Sequence, residues 1–174
     1  QKNRQLEDML TRVESLAIMD PLTGIYNRRR FEAVFTSEFK RAVRYQLPLS
    51  CMMVDIDHFK KINDSLGHQG GDVVLKELAH VLQTTLREVD TPARWGGEEF
   101  TVLLTHSDRA MASQFAEKLR EEIAAMPIPG MSGITCSFGV TQLGTDDTIY
   151  DLARRVDDAL YAAKKGGRNR VVTL

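Results

Sequence analysis

Arg94-Trp95-Gly96-Gly97-Glu98-Glu99-Phe100 is the stretch from which the rest of the chain is read. Two glycines are followed at once by two carboxylates and an aromatic ring. Thr101 to Leu104 continue as an apolar strand, and Pro92 to Trp95 precede as a short one. Gly-Gly between two strand-like runs reads as a hairpin turn, because glycine reaches positive φ without steric cost. Taken alone, the stretch is such a turn with two solvated glutamates at its exit. An earlier apolar strand, however, ends in Val54-Asp55-Ile56-Asp57. Adjacent strands with carboxylates at their ends can bring three or four oxygens together. Such a cluster repels itself unless a cation sits in it, and hard oxygens suit Mg²⁺ or Mn²⁺. The glycine pair carries no side chains, so a phosphate chain could pass close to its backbone.

Outward from the turn, Leu49 to Ile56 is a nearly unbroken apolar run, expected as a central strand. Period two puts Asp55 and Asp57 on one face while that strand lasts, whereas a helix start after Asp55 turns Asp57 away to cap it. The favoured reading makes Asp55 a metal ligand and Asp57 structural. His58 to Leu66 suits a short helix ended by Gly67. Gly70-Gly71 is a second flexible spot, and Asp72 can begin a helix through Leu86. Beyond the hairpin, Ser107 to Ala125 is amphipathic, with Ala112, Phe115, Leu119 and Ile123 on one face. A loop follows with Pro127, Pro129 and Gly130, then a strand over Ile134 to Gln142 and a helix over Ile149 to Lys165. Gly166-Gly167 closes that helix, and Arg170 to Leu174 is a last strand.

Toward the N-terminus, Asn27 can cap a helix through about Tyr45, with Phe31, Val34, Phe35, Phe39 and Val43 on its apolar face. Arg28, Arg29 and Arg30 open it. Cations there oppose the macrodipole, so they face solvent or an anion. Asp20-Pro21 stops an earlier helix over residues 1–19, in which Leu6, Met9, Val13 and Leu16 form an a/d seam. That helix either packs on its own domain or is the end of a signalling coiled coil pairing two chains. Five strands mixed with helices, without regular βαβ alternation, make the class α+β.

A chain of 174 residues with 43% apolar content is one cored domain, residues 20–174, with a linker helix, residues 1–19, as appendage. The net charge of −1 implies no pull toward nucleic acid or a membrane surface. Cys51 and Cys136 lie in apolar strand-like runs and read as buried free thiols, which fits a reducing compartment and a cytoplasmic domain. No run is apolar enough to span a bilayer. With Gln1 and not Met at its start, the chain is expected to be a piece of a longer protein, which could be membrane-anchored upstream.

Gly96-Gly-Glu-Glu-Phe100 resembles the signature of the GGDEF family, the bacterial diguanylate cyclases. The likeness extends along residues 20 to 174. Asp20-Pro-Leu-Thr-Gly24 and Asn27-Arg-Arg29 resemble the family's opening. Asp55-Ile-Asp-His-Phe-Lys60, Ile62-Asn-Asp64, Gly67-His68 and Gly71-Asp72 resemble its central run. Ser137-Phe-Gly139, Asp157-Asp-Ala-Leu-Tyr161, Ala163-Lys164 and Gly167-Arg-Asn169 resemble its closing marks. Val156 departs mildly from the family's usual Ala. The resemblance implies a central, mostly antiparallel five-stranded sheet flanked by helices, like the palm of polymerases and nucleotidyl cyclases.

It also implies an activity: two GTP molecules, one on each of two facing domains, condense into cyclic di-GMP and two pyrophosphates, so a homodimer is part of the mechanism. Two Mg²⁺ (or Mn²⁺) ions per site would be held by Asp55, the Ile56 carbonyl, Glu98 and Glu99, with Glu98 the candidate to help deprotonate the ribose 3′-hydroxyl. Asn63 and Asp72 fall where the family reads guanine. A carboxylate accepts from N1–H and the 2-amino group, and an amide both donates and accepts. As a cap or turn residue, either would also have a plain structural explanation. Lys60, Lys164 and Arg168 match phosphate-touching positions, although dipole complementarity would account for the last two. Phe59, His68, Gly96 and Gly97 complete the substrate set, with His68 as wall or hydrogen-bond partner.

Arg87-Glu88-Val89-Asp90 precedes the signature by five residues. Its residues read as a surface i,i+3 pair at a helix end. Its offset resembles the family's inhibitory product site, where Lys118 holds the place of a second cation and Arg120 lies two residues on. Two rival readings stand beside the cyclase. One is a catalytically silent cyclic di-GMP-binding module, against which the filled acidic positions count. The other is a different nucleotidyl-transfer palm enzyme, against which the guanine-reader spacing counts.

Overall fold

The structure is a computed structural model describing residues 2–174, with the side chains of residues 14–16 outside the description. Its elements run α1 (Lys2–Ile18), β1 (Tyr26–Asn27), α2 (Arg28–Tyr45), β2 (Leu49–Ile56), α3 (Phe59–Thr85), β3 (Thr91–Arg94), β4 (Glu99–Thr105), α4 (Arg109–Ala125), β5 (Cys136–Gln142), α5 (Ile149–Lys165) and β6 (Val171–Thr173). The strands form one sheet in the order β1-β3-β4-β2-β5-β6. The three inner pairings are antiparallel and the two outermost, β1 with β3 and β5 with β6, are parallel. The α+β class with a central, mostly antiparallel sheet therefore stands, with six strands where five were expected. The extra one is Tyr26–Asn27, too short to show a period of two.

All eight residues of β2 are buried, which is why its sequence is apolar on both faces. Met52, Val54 and Ile56 join the core under α3 and α4. Leu49, Cys51 and Met53 join a second core with Phe31 and Phe35 of α2 and Leu152, Val156 and Leu160 of α5. The sheet is thus sandwiched between two helix layers. Gly139 of β5 lets α5 approach closely, since a Cβ there would lie 2.3 Å from the Leu160 nitrogen and 2.6 Å from the Val156 oxygen. Cys51 and Cys136 are free and buried. Burial pushes the Cys51 thiol up to about 12 and Cys136 well above its ordinary value.

Asn27 caps α2 as its residue type suggested, accepting from the Arg30 amide at 3.0 Å. The three arginines that follow are partly accounted for nearby. Arg28 pairs with Glu32 and stacks 4.1 Å over Trp95, and Arg30 lies over the Tyr26 ring. Gly67 does break a helix, with φ 74° and ψ 171°, but a new helical segment resumes directly after it and runs on through Gly70-Gly71. Asp72 is therefore inside that segment and does not begin it. Gly71 serves close packing here, because a Cβ would meet the Asn63 Oδ1 at 1.9 Å. Boundaries shift elsewhere by small amounts. α4 begins at Arg109, capped by Asp108, so Ser107 is left buried in the preceding loop, and β5 begins at Cys136.

On α1, Leu6, Met9 and Val13 are exposed at 59%, 68% and 63%, so their seam does not pack on the domain. The side chain of Leu16, the fourth seam position, lies outside the described residues. Among the described residues no helix is long and apolar enough to cross a membrane.

Candidate active site

The β2–β4 register pairs Asp55 with Glu99 directly. The Ile56 amide donates to the Glu98 carbonyl at 3.4 Å, which sets Glu98 beside the end of β2. The turn between β3 and β4 closes through the Trp95 and Gly96 amides, both donating to the Glu99 carbonyl, at 2.8 and 3.2 Å. Asp55, Ile56, Glu98 and Glu99 thus converge beside the exposed Gly96-Gly97 backbone. Burial, opposed but not cancelled by Lys164, raises the Asp55 carboxyl above its usual range. Burial and then the Asp55 charge raise Glu98 and Glu99. The Lys164 ammonium, from the last turn of α5, donates to Asp55 and lies 3.9 Å from Glu99.

The cluster behaves as mutually repelling oxygens held together by one cation. Among the described residues no three His, Cys, Asp or Glu side chains enclose a metal as they stand. The donor set is nevertheless all oxygen and in excess of negative charge, so a divalent cation of the Mg²⁺ or Mn²⁺ type matches its chemistry.

Asp57 takes the other path. Its carboxylate accepts from Thr135 Oγ1 at 2.7 Å, Ser137 Oγ at 2.6 Å and the Asn169 amide at 2.9 Å. Those three bonds occupy it in pinning the start of β5 and the loop after α5. Thr135 was not singled out from sequence, and Asn169 stood there only within the Gly167-Arg-Asn169 mark, because distance along the chain hid both as partners of Asp57.

Across the Gly67 break, the Asn63 Oδ1 is buried and has no hydrogen-bond partner. An amide oxygen in that state invites a donor from a ligand. Phe59 is buried beside it, and Asp72 is exposed one residue beyond Gly71. Lys60, His68 and Arg168 are exposed, Arg168 with a left-handed φ of 64°. The structure brings none of these three into a side-chain hydrogen bond or ion pair with the carboxylates among the described residues.

Arg87 and Asp90 lie beyond the end of α3, in a turn, not on a helix face as expected. Asp90 accepts from the Arg87 guanidinium at 2.9 and 2.7 Å and from the Arg87 amide at 3.2 Å. The same guanidinium donates to the Thr105 carbonyl at 2.9 Å and Ser107 Oγ at 2.8 Å. The pair is far from a loose surface contact, since the Asp90 side chain is 2% exposed. It lines an open cavity of ≈ 340 Å³ with Ser107, Met111, Phe115 and Lys118. Arg120 instead faces Glu117 and Asn169, so Lys118 is the α4 cation on the cavity.

The family model described as diguanylate cyclase, GGDEF domain, matches residues 17–170. The response regulator PleD of Caulobacter vibrioides is 42% identical over 163 residues, which is 90% of this chain and 36% of that protein. The diguanylate cyclase VdcA of Vibrio cholerae is 38% identical over 177 residues, 98% of this chain and 51% of that protein. The chain therefore spans about half or less of the length of these curated relatives. The crystal structure of the coiled coil and GGDEF domain of DgcB from Caulobacter crescentus in complex with c-di-GMP matches with a TM-score of 0.93 at 30% identity, over 99% of this chain and 94% of that one. The active GGEEF domain of a diguanylate cyclase from Vibrio cholerae matches with a TM-score of 0.81 at 42% identity, over 84% of this chain and 96% of that one. By sequence and by fold, the chain belongs to the GGDEF family of diguanylate cyclase domains.

Proposed function

We propose that this domain condenses two GTP molecules into cyclic di-GMP, residues 20–174 being the catalytic unit and residues 1–19 the linker helix. The observation that carries the reading is the Asp55–Glu99 pairing at the mouth of a side-chain-free turn, with Glu98 alongside. Family membership implies a divalent metal, and Asp55, the Ile56 carbonyl, Glu98 and Glu99 are the groups to hold two Mg²⁺ or Mn²⁺ ions. When bound, the ions would neutralise the triphosphate and polarise the 3′-hydroxyl.

The chain's own residues do the rest. Glu98, its pKa raised by burial and by Asp55, takes the proton of the ribose 3′-hydroxyl. The Gly96-Gly97 backbone lets the phosphates approach, while Lys60, Lys164 and Arg168 offset their charge. Lys164 exchanges its bond to Asp55 for one to phosphate. The unpaired Asn63 Oδ1 and the Asp72 carboxylate accept from guanine, with Phe59 and His68 as walls. A site whose buried acceptors need those donors rejects adenine.

A single domain supplies half of the reaction, so two must face each other. The exposed Leu6, Met9 and Val13 seam is the surface that would pair them. The cavity at Arg87, Asp90 and Lys118 is the place for the product to bind and inhibit. Its Asp90 is held as an acceptor, and its two cationic side chains suit a phosphate.

Product analysis after incubation with GTP and Mg²⁺ tests the proposal, and cyclic di-GMP with pyrophosphate is expected. A cyclic mononucleotide, a linear polymer or no product would overturn it. Calorimetric titration of cyclic di-GMP into the chain and into Arg87→Ala tests the cavity, with binding lost in the variant. Equal affinity would return Arg87 and Asp90 to a structural pair.

A further inference from the structure

Arg94, to which the proposed chemistry gives no task, ties the Gly96-Gly97 turn to the loop that follows α1. Its Nε donates to the Gly96 carbonyl at 3.1 Å and the Gly97 carbonyl at 3.2 Å, and its Nη2 donates to the Gly97 carbonyl at 2.7 Å. Its Nη1 lies 3.3 and 3.2 Å from the two Asp20 oxygens. Every nitrogen of the guanidinium is committed inside the protein, and the two side chains are only 18% and 16% exposed. Arg94 is therefore not a phosphate ligand.

What it holds is a pair of glycines, the residues least able to hold themselves. A peptide unit is planar and trans, so a carbonyl and the next residue's N–H point in opposite directions. Drawing the Gly96 and Gly97 carbonyls onto Arg94 turns the Gly97 and Glu98 amides the other way. Those are the donors on the open side of the turn, next to Glu98 and Glu99.

Asp20 is fixed just as firmly at the other end. Its Oδ2 accepts from the Thr23 amide at 2.9 Å and hydroxyl at 2.6 Å, and its own amide donates to the Ile25 carbonyl at 2.7 Å. This loop is the first structure after α1. It is closed by Asn27, whose side chain donates to the Ala17 carbonyl in the last turn of α1 and which pairs with Arg94 itself in the β1–β3 ladder.

We propose that Arg94 is a positioning residue that sets the aim of the Gly97 and Glu98 amides, and that Asp20 makes that aim depend on the segment leaving α1. The inference rests on the cyclase reading for its kinetic arm alone. A displacement at the linker would reach the turn through one ion pair of neighbouring, packed groups, without a change in the sheet.

Lysine keeps the charge of Arg94 but offers one nitrogen, which cannot bridge Asp20 and two carbonyls at once. The 174-residue chain, Arg94→Lys, Asp20→Asn and the double variant would be compared by ¹⁵N relaxation and by GTP turnover. Wild-type order parameters at Gly96 and Gly97 should be close to the rigid value of about 0.85 and fall below about 0.6 in Arg94→Lys, with α4 and β5 unchanged. The kcat of Arg94→Lys should fall roughly 100-fold, the scale of about 1 Å of misplacement, while KM moves far less. Asp20→Asn should show a smaller loss, and the double variant should be no worse than Arg94→Lys, because Asp20 acts through Arg94.

Unchanged order parameters in the turn would overturn the proposal, as would a loosened turn with unaltered kcat. Additive losses in the double variant would overturn the Asp20 link. If wild type makes no cyclic di-GMP, the cyclase reading falls while the order parameters still decide Arg94. If Arg94→Lys does not fold, Asp20→Asn carries the same two measurements.

Discussion

An amide in place of the Glu98 carboxylate keeps the shape of the site and removes one of its crowded charges. Cyclase activity of Glu98→Gln should drop by several orders of magnitude in a folded protein, since positioned charge carries most of this chemistry. Near-normal turnover would remove Glu98 from the mechanism. The same change has a second, opposite effect on the metal-free protein. Burial and Asp55 raise the Glu98 pKa in the folded chain above its ordinary 4.5. The native state then binds more protons than the unfolded one, and this group's contribution to stability falls as pH rises through that window. Glu98→Gln should therefore melt higher than wild type at pH 7 in metal-free buffer, and the gap should close below the ordinary glutamate value. A gap that widens on acidification would contradict the direction of the shift. Asp55 and Asp57 show what a sequence can and cannot say at this scale. Their spacing offered two arrangements, and the partners that decide between them, Thr135, Ser137 and Asn169, lie about 80 to 110 positions away. Asp72 is similar. Its residue type suggested a helix cap, but the helix is already under way. Asp72→Ala should leave stability within about 0.5 kcal/mol and weaken the preference for GTP over ATP. Unchanged discrimination would place guanine reading elsewhere.

The elements with a clear apolar pattern were legible. β2, α2 and α5 have the bounds expected from their apolar patterns and punctuation. Those that depend on distant packing were not. Gly70-Gly71 looked like a break, yet Gly71 is needed inside a helix because Asn63 presses on it from across the Gly67 kink. β1 exists only because Tyr26 and Asn27 lie along Ala93 and Arg94. The least forgiving such dependence is at Gly139, where α5 rests on β5 through backbone atoms. Gly139→Ala would put a methyl 2.3 Å from a backbone nitrogen and 2.6 Å from a backbone oxygen. Neither can swing aside as a side chain would, so α5 must lift. A loss at or above the upper end of the usual overpacking range, about 3 kcal/mol, is expected in denaturant titration. Because α5 carries Lys164, turnover should fall with it. A variant as stable as wild type would mean that the helix rides further from the sheet.

At the scale of the whole molecule, the class and the central sheet were readable from the order of elements, while the assembly was not. The proposed condensation of two GTP molecules needs an encounter between two chains, and the exposed seam of α1 is the surface offered for it. Specific activity should therefore rise with concentration at the low end and flatten once pairing is complete. Replacing Leu6, Met9 and Val13 by polar residues should push that rise to higher concentrations, as read by turnover across a dilution series beside sedimentation. Activity per chain that stays constant on dilution, in a protein that sediments as a monomer, would remove the facing arrangement.

The two ends of the sheet govern a different kind of encounter. β1 and β6, its outermost strands, are two and three residues long. A strand that short offers an incoming chain almost no template for pairing, a common protection against edge-to-edge aggregation. Two copies can then be crowded together along their linkers, turn facing turn, without zippering into one continuous sheet. If catalysis proceeds by the proposed pairing, blunt edges would let a domain that meets its twin also part from it.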